Sequence, residues 1–119
     1  MARALNESGK PMKGSRILLL GVAYKAGVGD LREAPALKIA RLARDLGAEV
    51  SYHDSYVPEL AELDLRSVDV DEAVGAADLV AIVTAHDGVN YEQVVADAAL
   101  VLDFRGVTRG IEASNLARL

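Results

Sequence analysis

The chain has 119 residues, of which 51% are hydrophobic, and it carries a formal net charge of −5 and no cysteine. This size and apolar content fit one domain with a substantial core, and the acidic balance argues against nucleic-acid binding, which requires clustered Lys and Arg. The lack of cysteine excludes disulfides, thiolate metal sites and a cysteine nucleophile. No apolar run approaches the roughly 20 residues that span a bilayer. Because the first residues are polar and lack the apolar core of a signal peptide, we expect a cytoplasmic protein.

The first half of the chain predicts a strand, a charged loop, a helix and a second strand. A continuous apolar run predicts a first strand over 16–22 that is covered on both faces. Apolar residues at i, i+3, i+4 and i+7 predict a helix over 35–46. The second strand is expected over 49–53. A short helical fragment over 2–8 precedes these elements and is separated from them by the breakers Gly9, Pro11 and Gly14.

The second half continues the alternation of strands and helices. Its predicted elements are a short strand over 65–70, a helix over 72–76 capped by Asp71, a strand over 79–83, a helix over 91–98 capped by Asn90, a strand over 99–104, and weak helical character after Gly110. This order predicts an α/β fold in three layers, with a mostly parallel sheet of about five strands and helices on both faces.

Positively charged residues are expected at one edge of this sheet. Ligands of doubly wound sheets bind outside the carboxyl ends of the strands, where the segments 24–32, 84–88 and 103–109 and the residue Asp54 would meet. These segments contain Lys25, Arg32 and Arg105, whose charges and donors fit a phosphate or pyrophosphate group. The alternative is that Lys25 and Arg32 pair with Asp30 and Glu33 on a solvated loop, and that Arg105 forms a salt bridge at its strand end.

Other side chains near these ends have weaker functional interpretations. Tyr24 is either a stacking platform for a base or a half-buried aromatic residue of the loop. Asp54 ends a strand and is a candidate ribose ligand, but the sequence lacks the Gly-x-Gly-x-x-Gly pattern that accompanies such a residue. His53 and His86 have no companions at metal-ligand spacing, so we predict no metal site, and His86 is interpreted as a loop hydrogen-bonding residue.

Several short motifs are spread along nearly the whole chain. They are Ala4-Leu5-Asn6 with Gly9-Lys10, Gly21-Val22-Ala23-Tyr24-Lys25, Asp30-Leu31-Arg32-Glu33, Pro35-Ala36-Leu37, Leu46-Gly47-Ala48-Glu49-Val50 and Asp103-Phe104-Arg105-Gly106. Together they resemble the C-terminal UDP-binding domain of the NAD-dependent nucleotide-sugar 6-dehydrogenases, the family of the UDP-glucose and GDP-mannose dehydrogenases. The resemblance implies a Rossmann-like fold.

The resemblance also implies roles for individual residues. Tyr24 and Lys25 match residues that contact the nucleotide-sugar, Arg105 matches an arginine that reaches the same ligand, and Arg32 matches one that approaches the cofactor NAD. The segment 1–13 resembles the end of the region that joins an NAD-binding domain to the UDP-binding domain. The UDP-binding domain would then occupy 14–119. NAD would be bound mainly by that other, N-terminal domain.

The family oxidises the C6 alcohol of the sugar to a carboxylate in two NAD-dependent steps, through a thioester on a cysteine. Since this chain has no cysteine, we expect it to bind a UDP-sugar without oxidising it and to contain no catalytic residue. The expected partners are the N-terminal NAD-binding domain and a second copy in a homodimer. The run 50–54, continued by Tyr56-Val57-Pro58, resembles most the subgroup that acts on UDP-N-acetyl-hexosamines.

Two other function classes are compatible with the sequence. One is a non-enzymatic interaction module that keeps the fold, self-associates and ignores nucleotides. The other is a receiver-type signalling domain, in which Asp54 and Thr84 would follow their strands. This last class requires a lysine after the final strand, where this chain has Asp103-Phe104-Arg105.

Overall fold

A computed structural model describes residues 11–23, 35–86 and 88–118 of the chain. The helical fragment expected over 2–8 lies outside these residues. In chain order the elements are β1 (Arg16–Leu20), α1 (Pro35–Asp45), β2 (Glu49–His53), β3 (Glu59–Leu60), a 3-10 turn (Ala61–Leu63), β4 (Leu65–Arg66), α2 (Val70–Ala76), β5 (Leu79–Ile82), α3 (Tyr91–Asp97), β6 (Val101–Asp103) and β7 (Leu116–Arg118).

Within the described ranges, five strands form one sheet in the order β2-β1-β5-β6-β7, and every pair is parallel. Ile17 of β1 lies opposite Val50 of β2 on one side and Leu79 of β5 on the other. The chain thus moves outward from β1 to β2 and then returns to the other side of β1. A fold of this kind has its ligand crevice at the point where the direction reverses, which here is between β1 and β5.

Helices cover both faces of the sheet, as the continuous apolar run of β1 predicts. The side chains of β1 alternate between the faces, and all four from Ile17 to Leu20 are buried. One core contains Ile17 and Leu19 together with the α1 residues Ala36, Ala40 and Ala43. The other contains Leu18 and Leu20 with Val74 of α2 and Val94 and Val95 of α3. The predicted three-layer α/β fold is confirmed.

The fifth strand is not the one that the sequence predicts. Only Leu65–Arg66 of the expected strand 65–70 forms a strand, and it pairs antiparallel with Glu59–Leu60 in a separate two-stranded sheet. The fifth strand of the main sheet is β7, in the region where weak helical character was expected. β7 pairs with β6, and the N–H of Val101 donates to the carbonyl of Asn115. This pairing satisfies backbone groups of β7, so tertiary contact overrides the high helix propensity of Leu, Ala and Arg.

Side-chain hydrogen bonds explain why the start of α2 and the end of β1 differ from the predicted boundaries. α2 begins at Val70, and its cap is Asp69 rather than Asp71, because the Asp69 carboxylate accepts the N–H of Asp71 (2.9 Å) and of Glu72 (3.4 Å). β1 ends at Leu20 rather than at 22, because the N–H of Val22 binds a side chain instead of a neighbouring strand. Helix α1, strand β2 and the Asn90 cap of α3 agree with the prediction.

Among the described residues, no helix is both long and apolar enough to cross a membrane.

Candidate functional site

The segment that follows β1 is held on both sides at the carboxyl edge of the sheet. The N–H groups of Val22 and Ala23 donate to Oδ2 of Asp54, at 2.9 and 3.1 Å. The hydroxyl of Thr84, which follows β5, donates to the carbonyl of Ala23 at 2.6 Å. The backbone is therefore fixed up to Ala23, the residue before Tyr24.

Gly21 closes the gap between this segment and β5. Its φ is +82°, and a Cβ added there would lie 2.2 Å from the carbonyl oxygen of Thr84. Only glycine permits both this backbone conformation and this approach. The space at Gly21 is thus filled by protein, whereas the glycines of a dinucleotide-binding loop leave room for a pyrophosphate.

Asp54 is the centre of the hydrogen-bond network at this edge. Besides Val22 and Ala23, it accepts the N–H of Tyr56 (2.9 Å) and the Nε2–H of His86 (2.9 Å). Burial opposes ionisation of this carboxyl, but the four donated hydrogen bonds outweigh it, so the pKa of Asp54 lies below its ordinary value. Asp54 is 1% exposed, and both of its oxygens are used inside the protein. This arrangement does not support the ribose contact that the sequence left open.

His86 is a hydrogen-bonding residue of its loop, as predicted from the sequence. It is buried beside Asp54, and its ring lies 4.9 Å from the ring of Tyr56. His53 instead contacts the carbonyl of Val68 through Nδ1 at 2.7 Å. Over the described ranges, no group of three or more His, Asp or Glu residues is arranged to hold a metal ion.

A second buried carboxylate shapes the loop after β6. Asp103 accepts the N–H groups of Arg105, Gly106 and Thr108, each at 2.9 Å, and the Thr108 hydroxyl at 2.5 Å. Burial acts to raise the pKa of Asp103, but these donors outweigh it and hold the pKa below its ordinary value. Since its oxygens bind the backbone and Thr108, Asp103 does not form the salt bridge with Arg105 that was an alternative.

The structure places Arg105 as an exposed side chain at the carboxyl edge. Within the described part of the chain, its guanidinium forms no ion pair. β5 lies between β1 and β6, so two strand spacings, roughly 10 Å, separate the ends of the strands that lead to Ala23 and to Arg105. Tyr24, Lys25 and Arg32, the other predicted site residues, lie outside the described residues.

Two residues of this edge were missed by reasoning from the sequence. Thr108 is buried against Asp103, and Arg118 donates from Nη2 to the Thr108 carbonyl at 2.6 Å. A carboxylate that is followed by glycine and threonine often accepts hydrogen bonds from the next backbone N–H groups. The contact of Thr108 with Asp103 could therefore have been predicted from the sequence. The role of Arg118 could not have been predicted in this way, because its position depends on the pairing of β7 with β6.

Gly21 and Asp54 lie at the ends of β1 and β2, where dinucleotide-binding folds place cofactor contacts, and both are engaged within the protein. In the described part of the loop after β1, the carbonyl of Thr84 already occupies the space beside Gly21. The acidic residue at the end of β2 is buried and engaged with backbone N–H groups. Among the described residues, Gly21 is therefore used for close packing and Asp54 for internal hydrogen bonds.

Comparison with known proteins gives this edge a family context. The model of the UDP-glucose/GDP-mannose dehydrogenase family, UDP binding domain, matches residues 18–110. UDP-N-acetyl-D-mannosamine dehydrogenase of Methanocaldococcus jannaschii is 39% identical over 72 residues, which are 60% of this chain and 16% of that protein.

Solved structures show the same fold over almost the entire chain. The structure of UDP-D-ManNAc dehydrogenase from Pyrococcus horikoshii is 26% identical, with a TM-score of 0.78, and the match covers 98% of this chain and 28% of that one. NDP-N-acetyl-D-galactosaminuronic acid dehydrogenase from Methanosarcina mazei Go1 is also 26% identical, with a TM-score of 0.79, over 98% of this chain and 26% of that one.

The chain thus spans little more than a quarter of the length of these solved relatives. The family that the motifs indicated is confirmed. From the match over residues 18–110 and the shared fold, we conclude that the chain belongs to the UDP-binding domain of the UDP-glucose/GDP-mannose dehydrogenase family.

Proposed function

We propose that this chain binds the uridine diphosphate part of a nucleotide-sugar at the carboxyl edge of its sheet. Tyr24, Lys25 and Arg105 would contact this ligand. The observation that carries the proposal is the exposed Arg105 on a loop fixed by Asp103, at the edge where the backbone leading to Tyr24 and Lys25 is also fixed, in a chain of this family.

The chemistry of these residues suits a diphosphate. Lysine supplies a compact positive charge, and arginine can donate two parallel hydrogen bonds to phosphate oxygens. The two strand ends are roughly 10 Å apart, so long side chains from each loop can approach one ligand from two sides. Asp54 and Asp103 add negative charge to this edge, but both are buried and saturated with donors.

We propose further that the chain acts together with an N-terminal NAD-binding domain. In that arrangement, Arg32 would approach NAD held mainly by the partner domain. The paired domains would oxidise the C6 alcohol of the sugar to a carboxylate in the cytoplasm, and the assembly would be a homodimer. Because this chain has no cysteine, it would orient the substrate by binding its nucleotide, and the reaction itself would take place on the other domain.

For the sugar, we propose an N-acetyl-hexosamine. Several relatives carry the name UDP-N-acetyl-D-mannosamine dehydrogenase, including those from M. jannaschii and P. horikoshii, the latter 35% identical over 81 residues. The run 50–54 and the following Tyr56-Val57-Pro58 resemble the sequence of the same subgroup. UDP-glucose 6-dehydrogenases are also among the relatives, so competition between UDP-N-acetylmannosamine and UDP-glucose for the chain joined to its partner domain tests this point.

The test of nucleotide binding is calorimetric and NMR titration of the chain with UDP. Arg105→Ala should weaken binding by about 10- to 100-fold, since a hydrogen bond to a charged group contributes about 1.5–3 kcal/mol. Arg44→Ala is the matched control, because Arg44 is an exposed arginine in the last turn of α1, at the opposite edge of the sheet. A folded chain that gives neither heat nor shifts at millimolar UDP contradicts the proposal.

A second function is favoured by one observation. Leu42 and Leu46 are 59% and 47% exposed and lie one turn apart at the end of α1. Exposed apolar residues that form a contiguous patch are typical of a surface that contacts another protein, and these two leucines would form the centre of such a patch. If the chain is a self-associating module, light scattering should give a dimer that Leu42→Lys makes monomeric, and UDP should produce no response.

A further inference from the structure

Arg118 of the edge strand β7 contacts the loop that carries Arg105. Its Nε donates to the hydroxyl oxygen of Thr108 at 3.2 Å, and its Nη2 donates to the Thr108 carbonyl at 2.6 Å. Nη2 also donates to the carbonyl of Ile111. One guanidinium therefore holds the loop after β6 at two positions, three residues apart.

Thr108 passes this contact on to Asp103. A hydroxyl group has one hydrogen to donate and lone pairs to accept with. The Thr108 hydroxyl donates to Oδ2 of Asp103 and accepts from Arg118, so both capacities are used. Thr108 and Asp103 are each 0% exposed, which shields the hydrogen bond between them from water, whereas Arg118 is exposed.

Asp103 in turn fixes the backbone at Arg105. Its Oδ1 accepts the N–H of Arg105 and of Gly106, while Oδ2 is occupied by Thr108. Gly106 has a φ of +75°, so the loop turns sharply just after Arg105. A continuous set of hydrogen bonds thus runs from Arg118 through Thr108 and Asp103 to the peptide that bears the exposed guanidinium of Arg105.

We propose that Asp103, Thr108 and Arg118 are positioning residues that hold Arg105 in place for the diphosphate; this inference rests on the proposed function. A loop that is ordered before the ligand arrives loses no conformational entropy on binding, whereas a loop that the ligand must order loses that entropy and binds more weakly. Loss of the Thr108 hydroxyl should therefore reduce UDP affinity through Arg105, although Thr108 itself does not contact the ligand.

The experiment compares Thr108→Val, which keeps the shape and removes the hydroxyl, with Thr108→Ser, which keeps the hydroxyl. The Kd for UDP should rise about tenfold in Thr108→Val and return toward the original value in Thr108→Ser, as expected when about 1–2 kcal/mol of preorganisation is lost. In an Arg105→Ala background, Thr108→Val should change the Kd less than twofold. An equal loss in both backgrounds, or the same loss in Thr108→Ser, overturns the inference.

Two further measurements keep the result interpretable. If Thr108→Val does not fold, Arg118→Gln replaces it, with Arg44→Gln as the control, and the same pattern of Kd values is expected. Hydrogen exchange at the amides of Arg105 and Gly106 should accelerate in Thr108→Val but not in Thr108→Ser. Unchanged exchange overturns the positioning role even if UDP binds, whereas faster exchange without any UDP binding by the original chain supports the positioning role and contradicts the proposed function.

Discussion

Asp54 and His86 are joined by a hydrogen bond of 2.9 Å between Oδ2 and Nε2, although 32 residues separate them. Asp54 follows β2 and His86 follows β5, and these two strands lie on opposite sides of β1. The contact therefore passes over the carboxyl end of β1, where Asp54 also accepts the N–H groups of Val22 and Ala23. This single carboxylate ties three strand ends together and sets the exit of the loop that begins at Tyr24.

Replacement of this carboxylate should be strongly destabilising. Asp54→Asn preserves the shape but turns an amide NH2 toward groups that are themselves donors. Because a buried donor left without its acceptor costs about 1–3 kcal/mol, and this carboxylate accepts from four donors, we expect a loss of at least this size in the free energy of unfolding measured with urea. Asp64→Asn is the control, since Asp64 is exposed and has a left-handed φ of 54°, which asparagine tolerates well. Equal stability of the two variants contradicts this account.

Stability should fall on acidification because of Asp54 and Asp103. The pKa of each is lower in the folded chain than in the unfolded chain. Their contribution is fully present above the unfolded pKa, about 3.9 for aspartate, and is lost as the pH falls through the folded pKa. Urea unfolding between neutral pH and pH 3 should show this decline, and Asp103→Asn should have a shallower one. A decline of identical slope in Asp103→Asn argues against the assignment.

Gly21 and Gly14 provide a matched pair that separates backbone strain from steric collision. Both have a φ of +82°, but an added Cβ at Gly14 has nothing within 4 Å, whereas at Gly21 it meets the Thr84 carbonyl. Gly14→Ala should cost about 1–2 kcal/mol from its left-handed conformation alone. Gly21→Ala should cost several kcal/mol more or prevent folding, as measured by thermal unfolding. Similar melting temperatures for the two variants would show that β1 and β5 are not packed as described.

The cap of α2 can be tested by two alanine substitutions. Asp69→Ala removes the acceptor for the N–H groups of Asp71 and Glu72 and should cost about 1 kcal/mol. Asp71→Ala removes only a favourable charge in the first turn, which is worth about 0.3–1 kcal/mol at most. Chemical denaturation of both variants gives the comparison. A larger loss in the free energy of unfolding for Asp71→Ala would indicate that Asp71 is the cap, as the sequence predicts.

Elements that depend on local pattern were predictable from the sequence. The apolar run of β1, the Ala-rich face of α1 and the Asn90 cap of α3 each specify their own conformation, because their determinants lie within a few residues. The position of Arg105 at a strand end was predictable for the same reason. β7 was not, since Leu116–Arg118 becomes a strand through pairing with β6, and no signal within that segment announces the pairing.

The hydrogen bonds of Asp54 and Arg118 could not be predicted from the sequence, because most of them join residues that are distant along the chain. Three of the four donors to the Asp54 carboxylate are 31 or 32 residues away in sequence, and the partners of Arg118 lie in the loop after β6. Sequence spacing cannot show that a carboxylate is already saturated by backbone donors. Asp54 therefore looked like a possible ligand contact, while its actual contacts are all within the protein.

By itself, the order of residues determined the α/β class, the two covered faces of the sheet, the family, and the candidate cations for a phosphate-bearing ligand. Periodicity, composition and short motifs are properties of neighbouring residues, so they can be read along the chain. Which strand completes the sheet, which carboxylates are buried, and how Thr108 and Arg118 support the loop of Arg105 were decided only by the tertiary structure. These features arise from hydrogen bonds between strand ends, and such bonds exist only once the sheet has assembled.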